Sequence, residues 1–301
     1  MRVTVTGATG RIGTRLVGAL RRRGDEVTVL SRNADRAGAT LGVDAVAWQP
    51  EQEPAPASAL AGRDGVLHLA GEDIAQRWTA DVKRRLRSSR ELGTRHLIAG
   101  LRAADPRPGV LVSASGVDYY GPHGPERVTE ETPAGSGFLA ELCAVWEREA
   151  AAAEELGVRV ARLRAGVVLM RDGGALAKML PFFRLGIGGP VAGGRQYLPW
   201  IHVDDIVGLY LAALDEPAWT GAVNATAPEP PTNKEFSRAL GRALRRPALA
   251  PVPGFAVRLL YGEMADIVVA GRRAVPERAQ ALGFTYAHPE LDEALRSALA
   301  G

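Results

Sequence analysis

The amino-acid sequence predicts an α/β protein built on a doubly wound parallel sheet, and three observations carry that reading. Val- and Thr-rich stretches of strand character alternate with stretches of helical period from Arg2 to Leu163. No hairpin signal joins one strand-like stretch to the next, so each crosses over through a helix, and right-handed crossovers place helices on both faces of the sheet. A glycine cluster, Gly7-Ala8-Thr9-Gly10-Arg11-Ile12-Gly13, lies directly between the first strand and the first helix.

Taken in order, Arg2 to Thr6 alternates and forms the first strand. Ile12, Leu16, Val17 and Leu20 recur at helical spacing over 11–23, and Gly24 stands where a left-handed turn stops a helix. Strands are expected at 26–30, 45–48 and 65–69, a long helix over about 80–104, and a strand at 110–113. A helix over about 138–156 and a strand at 158–163 complete the series. Residues 171–199 carry Gly173, Gly174, Gly186, Gly188, Gly189, Gly193 and Gly194, and read as loops over a site. A helix over 203–214 and a strand over 221–225 rejoin the sheet. Beyond Pro228-Glu229-Pro230-Pro231, the pair Thr232 and Glu235 forms a capping box that opens a helix to about Leu244. Pro276 and Pro289 each precede apolar residues at helical spacing. The expected division is a dinucleotide-binding domain over 1–169 and 200–226, and a smaller, mostly helical substrate-binding or lid region over 170–199 and 227–301.

Composition narrows the class. With 301 residues, 46% of them hydrophobic, the chain has enough apolar surface to bury a large core, which excludes a disordered protein. No apolar run approaches the roughly 18 residues a membrane span needs, so no membrane partner is expected. The opening, MRVTVTGATG, lacks the charged-then-apolar pattern of a secretory leader, and a cytoplasmic location is expected. The single cysteine, Cys143, allows no internal disulfide. The net charge of +3 comes mainly from arginines dispersed among acids. The dense stretches, Arg21 to Arg23 and Lys83 to Arg90, sit on helical segments as solvated faces, so no nucleic-acid partner is expected either.

The glycine cluster has a physical purpose where it stands. Glycine permits a tight turn and lets a pyrophosphate approach the free amides that open the following helix. Gly7, Thr9, Gly10, Arg11, Ile12 and Gly13 are therefore the expected phosphate contacts of a Rossmann-type dinucleotide site. The second strand ends Val29-Leu30-Ser31-Arg32, where a protein that prefers NAD usually places an acid on the adenine ribose. A guanidinium at Arg32 pairs with a 2′-phosphate and the Ser31 hydroxyl adds a hydrogen bond, so the expected cofactor is NADP(H).

Further motifs extend the pattern: Leu67-His68-Leu69-Ala70-Gly71, Ser113-Ala114-Ser115-Gly116-Val117-Asp118-Tyr119-Tyr120-Gly121, and Trp200-Ile201-His202-Val203-Asp204-Asp205. With the glycine cluster they resemble the extended short-chain dehydrogenase/reductase superfamily over roughly the whole chain. Arg77-Trp78, Ser89-Arg90 with Gly93-Thr94, Phe138-Leu139, Trp146-Glu147, Arg164-Ala165-Gly166-Val167-Val168-Leu169 and the tail from Val252-Pro253 to Gly283-Phe284 resemble an atypical group within it. That group is called epimerase-family and carries an extra C-terminal domain of unknown function. The resemblance implies cofactor contacts at the glycine loop, at Ser31 and Arg32, at Leu69, Ala70 and Gly71, and at Arg164, Gly166 and Val167. Arg90 falls where many relatives have an asparagine near the cofactor ribose. A guanidinium there reaches a phosphate or a substrate acid, or pairs with an acid on its own helix.

The superfamily's usual machinery is Tyr-x-x-x-Lys, in which the ammonium and the cofactor lower the tyrosine pKa. Four residues beyond Tyr119, Tyr120, Tyr197, Tyr210, Tyr261 and Tyr286 stand His123, Gly124, Ile201, Leu214, Ala265 and Glu290, so no such pair exists. Aligned on Trp146-Glu147, Leu139 falls near the tyrosine position and Cys143 near the lysine. Two readings follow. In one, the protein is an oxidoreductase or isomerase on a small molecule, with Ser115, Tyr120, Tyr119, Glu141 and Lys83 as candidate catalytic groups; Ser115 orients a substrate oxygen and Tyr120 protonates it. In the other, it senses NADPH or scaffolds a partner without turnover. No metal is expected: Asp204 and Asp205 read as a helix N-cap, His68 as a satisfied core residue, and Cys143 has no partner ligands.

Overall fold

The computed structural model describes residues 1–300; Gly301 and the side chains of Ala256, Leu260 and Tyr261 lie outside the described residues. Seven strands form one sheet: β1 (Arg2–Thr6), β2 (Glu26–Ser31), β3 (Asp44–Ala47), β4 (Gly65–His68), β5 (Val110–Gly116), β6 (Arg159–Ala165) and β7 (Gly221–Ala225). Their order is β3-β2-β1-β4-β5-β6-β7 and every neighbouring pair is parallel. The direction of winding reverses between β1 and β4, which opens a crevice at the carboxyl ends of those strands.

Alternation along β1 decides what each face buries. Val3 and Val5 join Leu16 and Leu20 of α1 (Arg11–Arg22) and Ile206 and Leu209 of α6 (Val203–Asp215) in one core. On the opposite face Val66, Leu111 and Val160 pack with Leu97 and Leu101 of α3 (Ala80–Ala103). Gly24 takes φ +85 after α1. The capping box forms at the start of α7 (Asn233–Leu244), with Thr232 and Glu235 each bonding the other's backbone.

Four elements differ from the sequence expectation. Residues 174–184, expected as loop, form helix α5 (Gly174–Arg184), which buries Leu176, Leu180 and Phe183 against Phe236 and Leu240 of α7 and Leu295 of the C-terminal helix Leu291–Ala300. Helix α4 (Phe138–Ala151) ends earlier than 156, and a separate 3-10 turn covers Glu154–Leu156 before Gly157 turns left-handed. Strands β5 and β6 run to Gly116 and Ala165, which puts Ser115 and Arg164 on strand backbone, paired in register. No helix among the described residues is long and apolar enough to cross a membrane.

Candidate functional site

The glycine turn is built so that no side chain fits. Gly7 has φ +67, and a Cβ there would stand 2.6 Å from the Leu69 carbonyl carbon; a Cβ on Gly13 would stand 2.3 Å from the Gly7 carbonyl oxygen. The Gly10 amide donates to the Gly7 carbonyl at 3.0 Å, and no side chain caps α1. The opening amides of a helix that lacks a cap are available to an anion, and the dipole favours negative charge there. Thr9 is exposed on this turn and Ile12 is partly buried behind it. The Arg11 side chain turns elsewhere: its Nε donates to the Asp172 carbonyl at 2.8 Å, while Arg15 pairs with the Asp172 carboxylate at 3.0 Å. Arg11 thus fastens the segment before α5 to the glycine turn.

At the end of β2 the Ser31 hydroxyl bonds both the amide and the carbonyl of Asn33 at 3.2 Å, shaping the turn into α2 (Ala34–Leu41). Arg32 is exposed. At the end of β4, the Ala70 amide donates to the Thr6 hydroxyl, which pairs with His68 Nδ1 at 2.7 Å; His68 Nε2 pairs with Thr94 at 3.0 Å. His68 is wholly buried, and desolvation holds its imidazole down to about 4, with the Arg90 charge adding to the effect. It is a satisfied core residue that fixes the backbone under Ala70.

Gly71 lies against Arg90: a Cβ there would be 3.3 Å from the guanidinium carbon. Arg90 is buried, donates to the carbonyls of Glu72 at 3.1 Å and Leu86 at 3.3 Å, and stacks over the Trp146 ring. Burial lowers its pKa. Its hydrogen bonds run to the carbonyls of Glu72 and Leu86, so the alternative of a pairing with an acid on its own helix is not what forms, and among the described residues no carboxylate is bonded to it.

Beyond β5 and β6 a buried polar network replaces an open catalytic pair. Ser115 Oγ donates to Glu147 Oε1 at 2.7 Å. Arg164 grips the same carboxylate with two bonds, at 2.7 and 2.8 Å, and donates through Nη1 to the Tyr120 hydroxyl at 2.9 Å. Tyr120 in turn donates to Asn224 Oδ1 at 2.7 Å, and the Tyr119 ring lies 3.5 Å from the guanidinium carbon. Desolvation pushes the Tyr120 phenol up to about 12, against the pull of Arg164, so it is a weaker acid than a free tyrosine. That runs opposite to what protonation near neutral pH requires. The Tyr120 hydroxyl is thus buried and bonded to both Arg164 and Asn224, and the Arg164 side chain belongs to this network. Glu141 is exposed on α4. Lys83 is ion-paired with Glu263 and sits over the Phe138 ring. Of the five candidates, Ser115, Tyr120 and Tyr119 come together and Glu141 and Lys83 do not join them.

Helix α4 shows what stands where the usual pair would. Leu139 packs with Val82, Leu86 and Leu142. Cys143 is buried beside Gly116, and desolvation pushes its thiol up to about 12.

Sequence reasoning missed the pair Asp118 and Arg272. Arg272 is buried, ion-pairs with Asp118 and donates from Nε to the Gly121 carbonyl at 3.0 Å. Both line a small cavity of about 90 Å³ with Val117, Ala165, Gly166 and Val167, at the carboxyl ends of β5 and β6. Asp118 lies within the Ser113 to Gly121 motif, but its partner lies 154 residues away with no local signal. The N-cap of α6 also differs from expectation. His202 Nδ1 accepts from the Asp204 amide at 3.2 Å, and Asp205 instead accepts from the amides of Ala287 and His288. His202, Asp204 and His288 thereby hold their ligand atoms within 4.8 Å of one another, the grouping among the described residues with the right atoms for a metal.

The model of the "NAD dependent epimerase/dehydratase family" matches residues 3–225. The chain belongs to that family. The model "Domain of unknown function (DUF1731)" matches residues 252–298, so this family member carries the C-terminal domain that the tail motifs implied. It is 41% identical over 300 residues to the "Epimerase family protein SDR39U1 homolog, chloroplastic" of Arabidopsis thaliana, covering 99% of this chain and 86% of that one. To the mouse epimerase family protein SDR39U1 it is 40% identical, covering 100% of both chains. The crystal structure of the human epimerase family protein SDR39U1 (isoform 2) with NADPH superposes with a TM-score of 0.88 at 34% identity, covering 100% of this chain and 99% of that one.

Proposed function

We propose that this family member is a cytoplasmic NADP(H)-dependent oxidoreductase or isomerase acting on a small molecule. The observation that carries the cofactor choice is Arg32, exposed at the end of β2, where a 2′-phosphate meets a cation rather than an acid. Support comes from the glycine cradle, where a Cβ on Gly7 or Gly13 would collide with backbone, and from the similar human protein crystallised with NADPH. The amides of Arg11 to Gly13, with Gly7, Thr9 and Gly10 shaping the turn, would hold the pyrophosphate, Ser31 and Arg32 the adenosine end, and the backbone of Leu69 to Gly71, Arg164, Gly166 and Val167 the nicotinamide half. When bound, the cofactor supplies a hydride. Arg90, a buried cation bonded only to carbonyls, supplies positive charge beside Gly71 for an anionic group. Ser115 sits at the end of β5, where its hydroxyl, donating to Glu147, keeps lone pairs that accept from a substrate hydroxyl.

One observation favours a second reading, a non-catalytic NADPH sensor or scaffold: the hydroxyls of Ser115 and Tyr120 are already bonded inside the protein, while Leu139 and Cys143 stand near the α4 positions of the usual tyrosine and lysine. Titration of NADPH and NADH against wild type and Arg32→Asp tests the shared premise. NADPH is expected to bind wild type at least about tenfold more tightly, from one charge-assisted contact, and the variant to lose that margin. Equal affinity for the two in wild type refutes the assignment. NADPH oxidation with aldehydes, ketones and quinones, with Ser115→Ala in parallel, then separates turnover from sensing.

A further inference from the structure

A second, larger cavity of about 340 Å³ lies between α5, α7 and the tail. Its walls are hydrocarbon, with Ile74, Met179, Phe183, Phe236, Met264 and Val268 contributing. The polar side chains on it are largely committed. Asn233 accepts the Val191 amide at 2.8 Å, and the Lys178 ammonium donates to the Ala75 carbonyl. Lys178 is the single cation among the described lining residues, and no arginine lines the cavity. A diphosphate brought here would lose its hydration without a guanidinium fork to replace it, at a cost of several kcal/mol. An apolar molecule loses nothing comparable and gains with each carbon buried.

Position ties this cavity to the crevice. Asp73, Ile74 and Ala75 begin two residues beyond Gly71, and Ile267 lines both this cavity and the small one at the ends of β5 and β6. The mouth is apolar too: Phe182 and Ile187 on its rim are 47% and 55% exposed.

Resting on the proposed function above, we propose that this cavity is the substrate pocket and that it takes the hydrocarbon part of an uncharged carbonyl compound, not a nucleotide sugar. The carbonyl end lies toward Ile267, where Asp118 and Arg272 line the adjoining space. At about 30 Å³ per small group, the volume holds roughly a dozen methylene-sized groups.

The test uses the full chain, with and without saturating NADPH. Nile red bound to the protein is displaced with 2-alkanones of increasing length and with UDP-glucose, and NADPH affinity is measured separately by tryptophan quenching. Affinity is expected to tighten about fourfold per added methylene, then level off near a dozen carbons. UDP-glucose is expected to displace nothing. Ile187→Asp, at an exposed position that leaves folding untouched, and Val268→Asp on the wall are each expected to weaken the longest bound ketone at least about fivefold without changing NADPH affinity. Affinity independent of chain length, displacement by UDP-glucose, or wild-type binding in both variants overturns the proposal. Failure of NADPH to bind while the ketone series behaves as expected refutes the cofactor reading and leaves the pocket assignment standing.

Discussion

Replacing Glu147 by alanine tests the buried network most directly. Glu147 and Arg164 are 4% and 3% exposed, and the carboxylate takes two bonds from the guanidinium and one from Ser115. Removing one member of a buried pair leaves the other charge desolvated and uncompensated, which costs about 3–5 kcal/mol. Loss of the acceptor for Ser115 adds about 1 kcal/mol. Part of this is recovered by water entering the space left by the carboxylate, so a net loss near 4 kcal/mol is expected. At about 2.1 cal/mol/K of unfolding entropy per residue, that lowers Tm by roughly 6 °C in a chain of 301 residues. Urea and thermal unfolding of Glu147→Ala measure both figures. The double variant Glu147→Leu with Arg164→Met, which removes both charges and restores apolar volume, is expected to recover a large share of the loss, because a buried pair is replaceable by hydrocarbon at little net cost. A single variant within about 1 kcal/mol of wild type, as for an exposed pair, refutes the reasoning. So does a double variant no more stable than the single one, since the loss would then come from packing and not from charge.

Two further perturbations separate binding from stability. Gly13→Ala places a Cβ 2.3 Å from the Gly7 carbonyl oxygen, so the start of α1 must move; NADPH affinity is expected to fall more than about tenfold, while Gly24→Ala, where a Cβ meets nothing within 4 Å, costs about 1 kcal/mol of stability and no affinity. Equal NADPH affinity in the two variants contradicts the cradle. The third perturbation is acid. Burial holds His68 at about 4 in the folded protein, below the ordinary 6.5 of the unfolded chain, so the unfolded state takes up a proton first as pH falls. The stability contribution is intact above the unfolded pKa and is lost progressively below it, reaching about 2.5 kcal/mol by pH 4.5. Urea midpoints of wild type and His68→Gln across that range are expected to converge by this amount, and parallel curves would show that His68 does not titrate as the burial requires.

The parts of the fold legible in the sequence are those where local pattern and burial agree. Val3 and Val5 alternate toward the same interior that Leu16, Val17 and Leu20 reach at helical spacing, so the β1–α1 unit and its glycine turn are readable without the rest of the chain. Helix α5 was hidden because Gly173, Gly174, Pro181 and Gly186 are breakers by local preference, while its stabilising contacts, Phe236, Leu240 and Leu295, lie more than fifty residues away. Tertiary burial overrode propensity there. The site divides the same way. Ser115 and Tyr120 announce themselves as polar residues at the end of a strand, but what they do depends on Glu147, Arg164 and Asn224, which arrive from α4, β6 and β7. Spacing along the chain carries no information about that meeting, nor about Arg272 reaching Asp118.

The same long-range contacts bear on how a substrate enters. The tail, expected as part of a substrate-binding or lid region, is tied down at four separate places. The Ala192 amide donates to the Val252 carbonyl and the Val252 amide to the Pro190 carbonyl, residues Arg273–Ala274 pair as a strand with Arg127–Val128, the Asn224 side-chain amide donates to the Val275 carbonyl, and Asp205 takes the amides of Ala287 and His288. Lifting the tail would break all of these together and leave Asp205 and Asn224 with buried polar atoms unpaired, each at about 1–3 kcal/mol. Rotating the exposed side chains of Phe182 and Ile187 breaks no hydrogen bond at all. For the pocket proposed above, entry through the rim breaks fewer bonds than a swing of the tail, and a substrate passing an apolar rim into an apolar pocket would be selected for the same chemistry twice.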